Sequence, residues 1–223
     1  MPISRSLPAA GALAALLTLC SPAAAAGPVL AGPLKRCYVS VAEGRTEPVV
    51  LSAAGFGANA PVEVRLDGAP VATVTSSGDG RIYARVHPAH QSRGERRLRI
   101  ELRERDDPRH RIEVTSRVSA LSVRLRPRSA RARSVVTWTG RGFTAPGPVH
   151  VHYLKGGAVR RSVRLAVPRR PCGVFRVRRA QFPFSPSLGA WVLQVDQQRP
   201  FTPVPATPFV QLPVTVQRVP TGS

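Results

Sequence analysis

Lysine is almost missing from this chain: of its 33 basic residues, only Lys35 and Lys155 are not arginine. Acid is missing from one half. Residues 27–113 carry 14 basic and 11 acidic side chains, a net +3, whereas residues 114–223 carry 18 basic side chains and one acid, Asp196, a net +17. A GC-rich coding bias accounts for arginine in place of lysine, but not for acids absent from one half only. A single carboxylate rules out a carboxylate pair for general acid–base work in the second half. In the first half the densest acidic stretch, "RERDDP", is diluted by arginine and is no calcium loop. Aromatic residues are scarce, 5% of the chain, and fall mostly at inward positions. Stacking platforms for nucleic acid are therefore not expected, although charge alone would give salt-sensitive DNA binding in vitro.

Other absences narrow the class further. Beyond the N-terminal segment, no window shows the apolar stripe of an amphipathic helix; the recurring period is two, the strand signature. No G-x-S-x-G elbow and no phosphate loop opening a helix is present. The glycine-rich "TGRGF" of residues 139–143 leads into another strand, so no helix N-terminus follows it to hold phosphate. No enzyme activity and no cofactor are expected.

What is present begins with an address. Arg5, the apolar stretch of residues 7–19 and Ala24-Ala25-Ala26 have the three-part form of a signal peptide, with cleavage expected near Ala26–Gly27. The run is short for a membrane span, and no transmembrane segment is expected after cleavage. Cys20 follows Leu19 rather than the small residue a lipobox requires. "LPVT" at residues 212–215 lacks the glycine and apolar tail of a wall-sorting signal. The mature chain of about 197 residues, with the size of one large or two ordinary domains, keeps two cysteines, Cys37 and Cys172. Export favours oxidation, so an intrachain bridge is expected over free thiols or a bridge between chains.

An internal repeat organises the rest. "VVLSAAGFGANAPVEVRLDG" from Val49 and "VTWTGRGFTAPGPVHVHYLKG" from Val136 each run strand, Gly-Phe, small-residue turn with proline, alternating strand. Phe56 and Phe143 lie 87 residues apart, as do Val62 and Val149. "GDGRIYARVHP" then corresponds to "CGVFRVRRAQFP" after a short insertion. The first unit offers strands near residues 38–40, 49–52, 62–66, 71–75, 82–86, 98–102 and 112–114. The second offers 121–125, 135–138, 149–153, 159–165, 174–177, 191–195 and 210–216. Seven short strands per unit, with turns at "LDGAP", "SGDG" and "DDPR", fit an immunoglobulin-like sandwich. The expected organisation is a signal peptide at 1–26, one sandwich at 27–117 and a strongly basic second sandwich at 118–223, joined by a short, stiff boundary. The fold class is all-β: two tandem immunoglobulin-like β-sandwich domains.

The "GF…P…V.V…DG" pattern resembles bacterial immunoglobulin-like domains of the IPT/TIG type. The second unit, with "VHYLKGG", "PCGVFRVRRAQFPF" and "GAWVLQVD", is similar to a family of secreted proteins of high-GC actinobacteria. The resemblance covers most of residues 34–217. It implies a pair of β-sandwiches at the cell exterior and implies no activity.

Two candidate sites remain. In "PVHVHYL", Val149, Val151 and Tyr153 are expected to face the core, which puts His150 and His152 together on the outward face. Two imidazoles can begin a metal site, but zinc needs a third and usually a fourth ligand. The available additions are Asp196 and an unpaired Cys172; His87, His90 and His110 belong to the first unit. The first unit carries Glu63 and Arg65 where the second has the histidines, so solvated polar side chains on an outward sheet face are the expected reading. The arginines form the second candidate. Arg124 and Arg126 alternate with Val123 and Leu125, Arg176 and Arg178 with Phe175 and Val177, and Arg164 lies in "RRSVRLAV". If these strands share a sheet they build a basic face, with His150 and His152 on it or beside it. The alternative is arginine spread over both faces as solubilising charge. The expectation is a non-catalytic secreted or envelope-associated binding or structural module. An acidic glycan, an anionic wall polymer or another envelope protein is the partner class; physiological nucleic acid is not.

Overall fold

A computed structural model describes residues 27–128 and 130–218; the segment expected as a signal peptide, with Cys20, lies outside the described residues. Sixteen strands and no helix make up the described chain. The first unit contains β1 (Val29–Leu30), β2 (Tyr38–Ala42), β3 (Arg45–Thr46), β4 (Val49–Ala54), β5 (Pro61–Leu66), β6 (Ala69–Thr75), β7 (Ile82–Val86), β8 (Glu95–Glu104) and β9 (Arg111–Ala120). The second contains β10 (Ser122–Arg126), β11 (Val135–Arg141), β12 (Val149–Lys155), β13 (Ala158–Ala166), β14 (Phe175–Ala180), β15 (Gly189–Asp196) and β16 (Val210–Val216). Every strand expected from period-two alternation is present. β1 and β3, two residues each, are too short to leave such a pattern.

The two units share a topology. Sheet order β1-β4-β7 in the first matches β10-β11-β14 in the second, and β6-β5-β8-β9 matches β13-β12-β15-β16. The first unit extends its larger sheet with β2, parallel to β9, and with the hairpin partner β3. Each pair of sheets closes on its own apolar core. Leu51, Val62, Val64, Leu98, Ile100 and Leu102 are fully enclosed in the first. Trp138, Phe143, Val151, Tyr153, Phe182 and Leu193 are enclosed in the second. The architecture is two immunoglobulin-like β-sandwiches in tandem.

One backbone contact shows how deeply the repeat runs. Phe56 N donates to Gly80 O at 3.2 Å and Phe143 N donates to Gly173 O at 3.3 Å. Both glycines have positive φ, +71° and +61°, and a Cβ on either would lie 2.2 Å or 2.0 Å from the phenylalanine carbonyl oxygen. No other residue can stand so close to a neighbouring backbone.

Only Leu121 separates β9 from β10. Its N–H donates to Ser40 O at 2.9 Å, and Ala120 N–H donates to Gly94 O at 2.9 Å. Gly142, with φ +85°, comes against the same junction: a Cβ there would sit 2.9 Å from Leu121 Cα. Cys37 and Cys172 form a disulfide with Cα atoms 5.2 Å apart, and Gly142 N–H donates to Cys172 O at 2.9 Å. The boundary is short and pinned from two sides.

Candidate functional site

β10, β11 and β14 run side by side, and their registers place side chains in rows. Arg124 stands opposite Thr139, which stands opposite Arg176; Arg126, Thr137 and Arg178 form the next row. Val123, Trp138 and Phe175 turn into the core from the same strands. The outer face is thus two columns of arginine flanking a column of threonine. Neighbouring arginines within a column are spaced about 7 Å, and the two columns lie about 10 Å apart at the backbone, from ordinary strand geometry. All four arginines are exposed.

Their electrostatic setting differs from that of arginines in the first unit. There Arg65, Arg81, Arg96, Arg99 and Arg117 each pair with a carboxylate. Among the described residues, no arginine of the second unit forms a salt bridge; its one acid, Asp196, is buried and pairs with His152. The field over this face is therefore uncompensated, and guanidinium groups aimed at solvent suit phosphate, sulfate or carboxylate oxygens.

Arg164 does not share this sheet. It lies on β13, in the sheet β13-β12-β15-β16, and approaches Arg176 only across the groove between the β13 and β14 edges. That groove holds about 560 Å³ and also contains Arg169 and Arg179. Conversely, Arg141 and the threonines Thr137 and Thr139 join the β10–β11–β14 face and were not singled out from sequence. Their signal was the alternation in "VVTWTGR", where Val136, Trp138 and Gly140 point the other way.

The histidine pair overturns the expectation of an outward, solvated position. His150 is 6% exposed and His152 0%, and neither lies on the basic face. They do leave β12 opposite Val149, Val151 and Tyr153, so the alternation holds, but that second face is covered. In the first unit the corresponding strands β8 and β9 are joined by the tight hairpin of residues 105–110. In the second, residues 197–209 between β15 and β16 fold back over the sheet. The Phe201 ring packs on His152 with centroids 5.3 Å apart. Glu63 and Arg65, at the equivalent positions, stay half-buried and pair with each other at 2.6 Å.

Beneath that covering segment lies a connected polar network. Ser162 Oγ is 2.7 Å from His152 Nδ1, and His152 Nε2 is 3.2 Å from Asp196 Oδ1. Gln194 Nε2 donates to Asp196 Oδ2 at 2.9 Å and to Thr202 O at 3.0 Å, and Gln211 Nε2 donates to Gln194 Oε1 at 3.0 Å. Gln198 N–H donates to Asp196 Oδ1 at 2.8 Å. Burial pushes the Asp196 carboxyl up, and the hydrogen bonds from His152, Gln194 and the Gln198 backbone more than offset it, leaving the group below its ordinary range. Burial pushes His150 down, helped by His152, Arg199 and Arg164 and opposed by Asp196.

Serine, histidine and aspartate in a chain invite a hydrolytic reading. Such a site needs a serine on an open turn with donors aimed at the developing oxyanion. Ser162 instead stands mid-strand directly opposite His152, and the histidine and aspartate are enclosed under residues 197–209. Gln194 and Gln198 join the network to the covering segment, which makes it a fastening. Among the described residues, no group of three or more His, Cys, Asp and Glu side chains is arranged to hold a metal ion. Cys172, the soft ligand considered with the histidines, is in the disulfide. The remaining histidines are engaged locally: His87 Nδ1 lies 2.8 Å from Thr46 O, His90 Nδ1 2.7 Å from Ser40 Oγ, and His110 Nδ1 2.9 Å from Glu104 Oε2.

No protein-family model matches the chain, and no curated protein matches it. Solved structures that resemble it include an Ig tandem, a fibronectin-III array and a transglutaminase. Bovine butyrophilin is 12% identical over 84% of this chain and all of its own, with a TM-score of 0.34. The titin Ig tandem domains A164–A165 are 13% identical over 85% of this chain and 96% of theirs, with a TM-score of 0.28. The central fibronectin-III array of RIM-binding protein is 14% identical over 84% of this chain and 71% of its own, at 0.24. All three scores lie below 0.5, and the architecture stated above stands on this chain's own sheets.

Proposed function

We propose that the protein is a non-catalytic module of the cell exterior, secreted or retained in the envelope, that binds a linear polyanion along the outer face of β10–β11–β14. One observation carries the reading: four exposed arginines in two columns, with hydroxyls between them and no carboxylate pairing any of them. Address rests on the signal-peptide pattern, and a disulfide spanning 135 residues fits an oxidising compartment. The partner class is an acidic glycan or anionic wall polymer, whose repeated charges can lie along the threonine column within reach of arginines on either side.

The test is elution from immobilised heparin, as a sulfated glycan, in a salt gradient. The protein is retained at low salt and released as salt screens the contact. The variant R124E/R126E/R176E/R178E passes unretained, while R65E/R99E in the first unit elutes with the parent protein. Equal loss of retention in both variants would show that net charge, and not this face, makes the contact.

A further inference from the structure

The threonine trough does not end in open solvent. At the Arg141 end of β11 it runs into the loop of residues 92–94 from the first unit. There the two units enclose a cleft of about 450 Å³ whose walls include Arg93, Arg124, Arg141 and Arg176, with Ser122 and Thr139 between them. No acid lines it. Four arginines line one cleft; like charges gathered there repel one another in the free protein, and a bound anion removes that repulsion.

The walls are held in place from behind. His90 Nδ1 and Gln91 N–H both meet Ser40 Oγ, at 2.7 and 2.9 Å, which fastens the loop to β2 just ahead of Ser92. Gly94 O accepts from Ala120 N–H at 2.9 Å. On the other side, the Cys37–Cys172 bridge anchors the segment that leads through Val174 into Phe175 and Arg176. Gly140 lets the Phe175 ring pack against β11 from the core side: a Cβ there would lie 2.2 Å from the ring. A site whose backbone walls are fixed before the ligand arrives has only side chains left to order on binding.

We infer that this junction cleft binds a phosphomonoester dianion, the terminal phosphate of a chain that lies along the arginine–threonine face. Guanidinium forks pair two-to-two with phosphate oxygens, and hydroxyls at Ser122 and Thr139 serve the remaining lone pairs. A dianion satisfies four cations better than the monoanion of a sulfate ester does. The inference rests on the polyanion reading for the chain that carries the phosphate, but the cleft adds Arg93, which comes from the first unit and lies outside that face.

The experiment is titration calorimetry of the full mature protein with sn-glycerol 3-phosphate at low ionic strength, with methyl sulfate in a parallel arm. Heparin retention is read on the same preparations. One glycerol phosphate binds per chain; Arg93→Ala, outside the β10–β11–β14 face, weakens it at least tenfold and leaves heparin retention in place, whereas R126A/R178A changes glycerol phosphate binding less than twofold. Arg93→Gln, which removes the charge and keeps a hydrogen-bonding amide, gives the same reading if Arg93→Ala does not fold. Equal weakening by Arg93→Ala and by R126A/R178A, or methyl sulfate binding as tightly as the phosphate, would overturn the assignment. No glycerol phosphate binding alongside intact heparin retention removes the cleft and leaves the face standing; loss of both removes both.

Discussion

His152 Nε2 lies 3.2 Å from Asp196 Oδ1, and neither side chain has any exposed surface. Asp196 is the second unit's one acid, and it faces inward, onto an imidazole and two glutamine-linked strands, instead of neutralising any of the arginines outside. Its removal strands several donors at once: Gln194 Nε2, Gln198 N–H and His152 each lose a partner. Asp196→Ala is expected to lower stability by about 3 kcal/mol, the usual scale for breaking a buried hydrogen-bonded pair. Denaturant unfolding measures the loss. Limited proteolysis checks its cause, since cleavage should concentrate in residues 197–209; a destabilised protein whose covering segment stays resistant would contradict the fastening role.

Acid should loosen the same fastening in two stages. His150 is held below its ordinary value of 6.5, first by burial, with His152, Arg199 and Arg164 adding to the effect and Asp196 opposing it. A ring that binds its proton less readily when folded stabilises the fold fully above pH 6.5, and the contribution is lost as pH falls through the depressed value. Asp196, below its ordinary 3.8, holds its contribution above that pH and loses it lower down. Thermal midpoints measured from pH 8 to pH 3 should therefore fall for the parent protein. In His150→Asn the decline between pH 7 and pH 5 should flatten; an unchanged slope would place that dependence on another group.

Strand positions, the repeat and the disulfide were legible because each leaves a local or pairwise mark: alternation at Val149–Val151–Tyr153, the recurrence of Gly-Phe, and two cysteines in a chain expected to be exported. The covered face of β12 was not. Period two states which side a residue takes and says nothing of what covers that side, and the repeat argued for solvent because the first unit's hairpin leaves Glu63 and Arg65 only half-buried. The cue was the long connection between β15 and β16, with Phe201 in it. Arg164 misled for a related reason: "RRSVRLAV" alternates as "VFRVRRAQF" does, but sheet membership is decided by long-range pairing that alternation cannot report. The junction cleft was further out of reach, since Arg93 and Arg141 belong to different units.

The glycine contacts yield a paired stability prediction. At Gly173 an added Cβ would lie 2.0 Å from Phe143 O, and at Gly80 2.2 Å from Phe56 O, on backbone with positive φ in each case. Neither carbonyl can retreat without breaking the hydrogen bond that Gly173 or Gly80 accepts from the same phenylalanine. Gly173→Ala and Gly80→Ala should each cost about 3 kcal/mol, on the scale of severe backbone mutations. Gly147→Ala, with φ +96° but nothing within 4 Å of the added atom, should cost about 1 kcal/mol from conformation alone. If all three cost the same, close approach contributes nothing and the repeat's glycines serve only their dihedral angles.

The Cys37–Cys172 bridge closes a separation of 135 residues across the boundary between the units. By the chain-entropy estimate it stabilises the folded state by about 4–5 kcal/mol relative to the open chain. Each unit nevertheless has its own core, and Leu121 N–H to Ser40 O and Ala120 N–H to Gly94 O remain when the bridge is gone. Cys37→Ser/Cys172→Ser should thus keep both sandwiches folded while uncoupling their unfolding. Calorimetry of the parent should show one transition and the variant two, with the first at lower temperature. The same substitution frees the segment leading into Phe175 and Arg176, so glycerol phosphate binding in the cleft should weaken while heparin retention, which depends on a register set within β10–β11–β14, persists. A single transition at the parent temperature would mean that the junction's backbone contacts couple the units without the bridge.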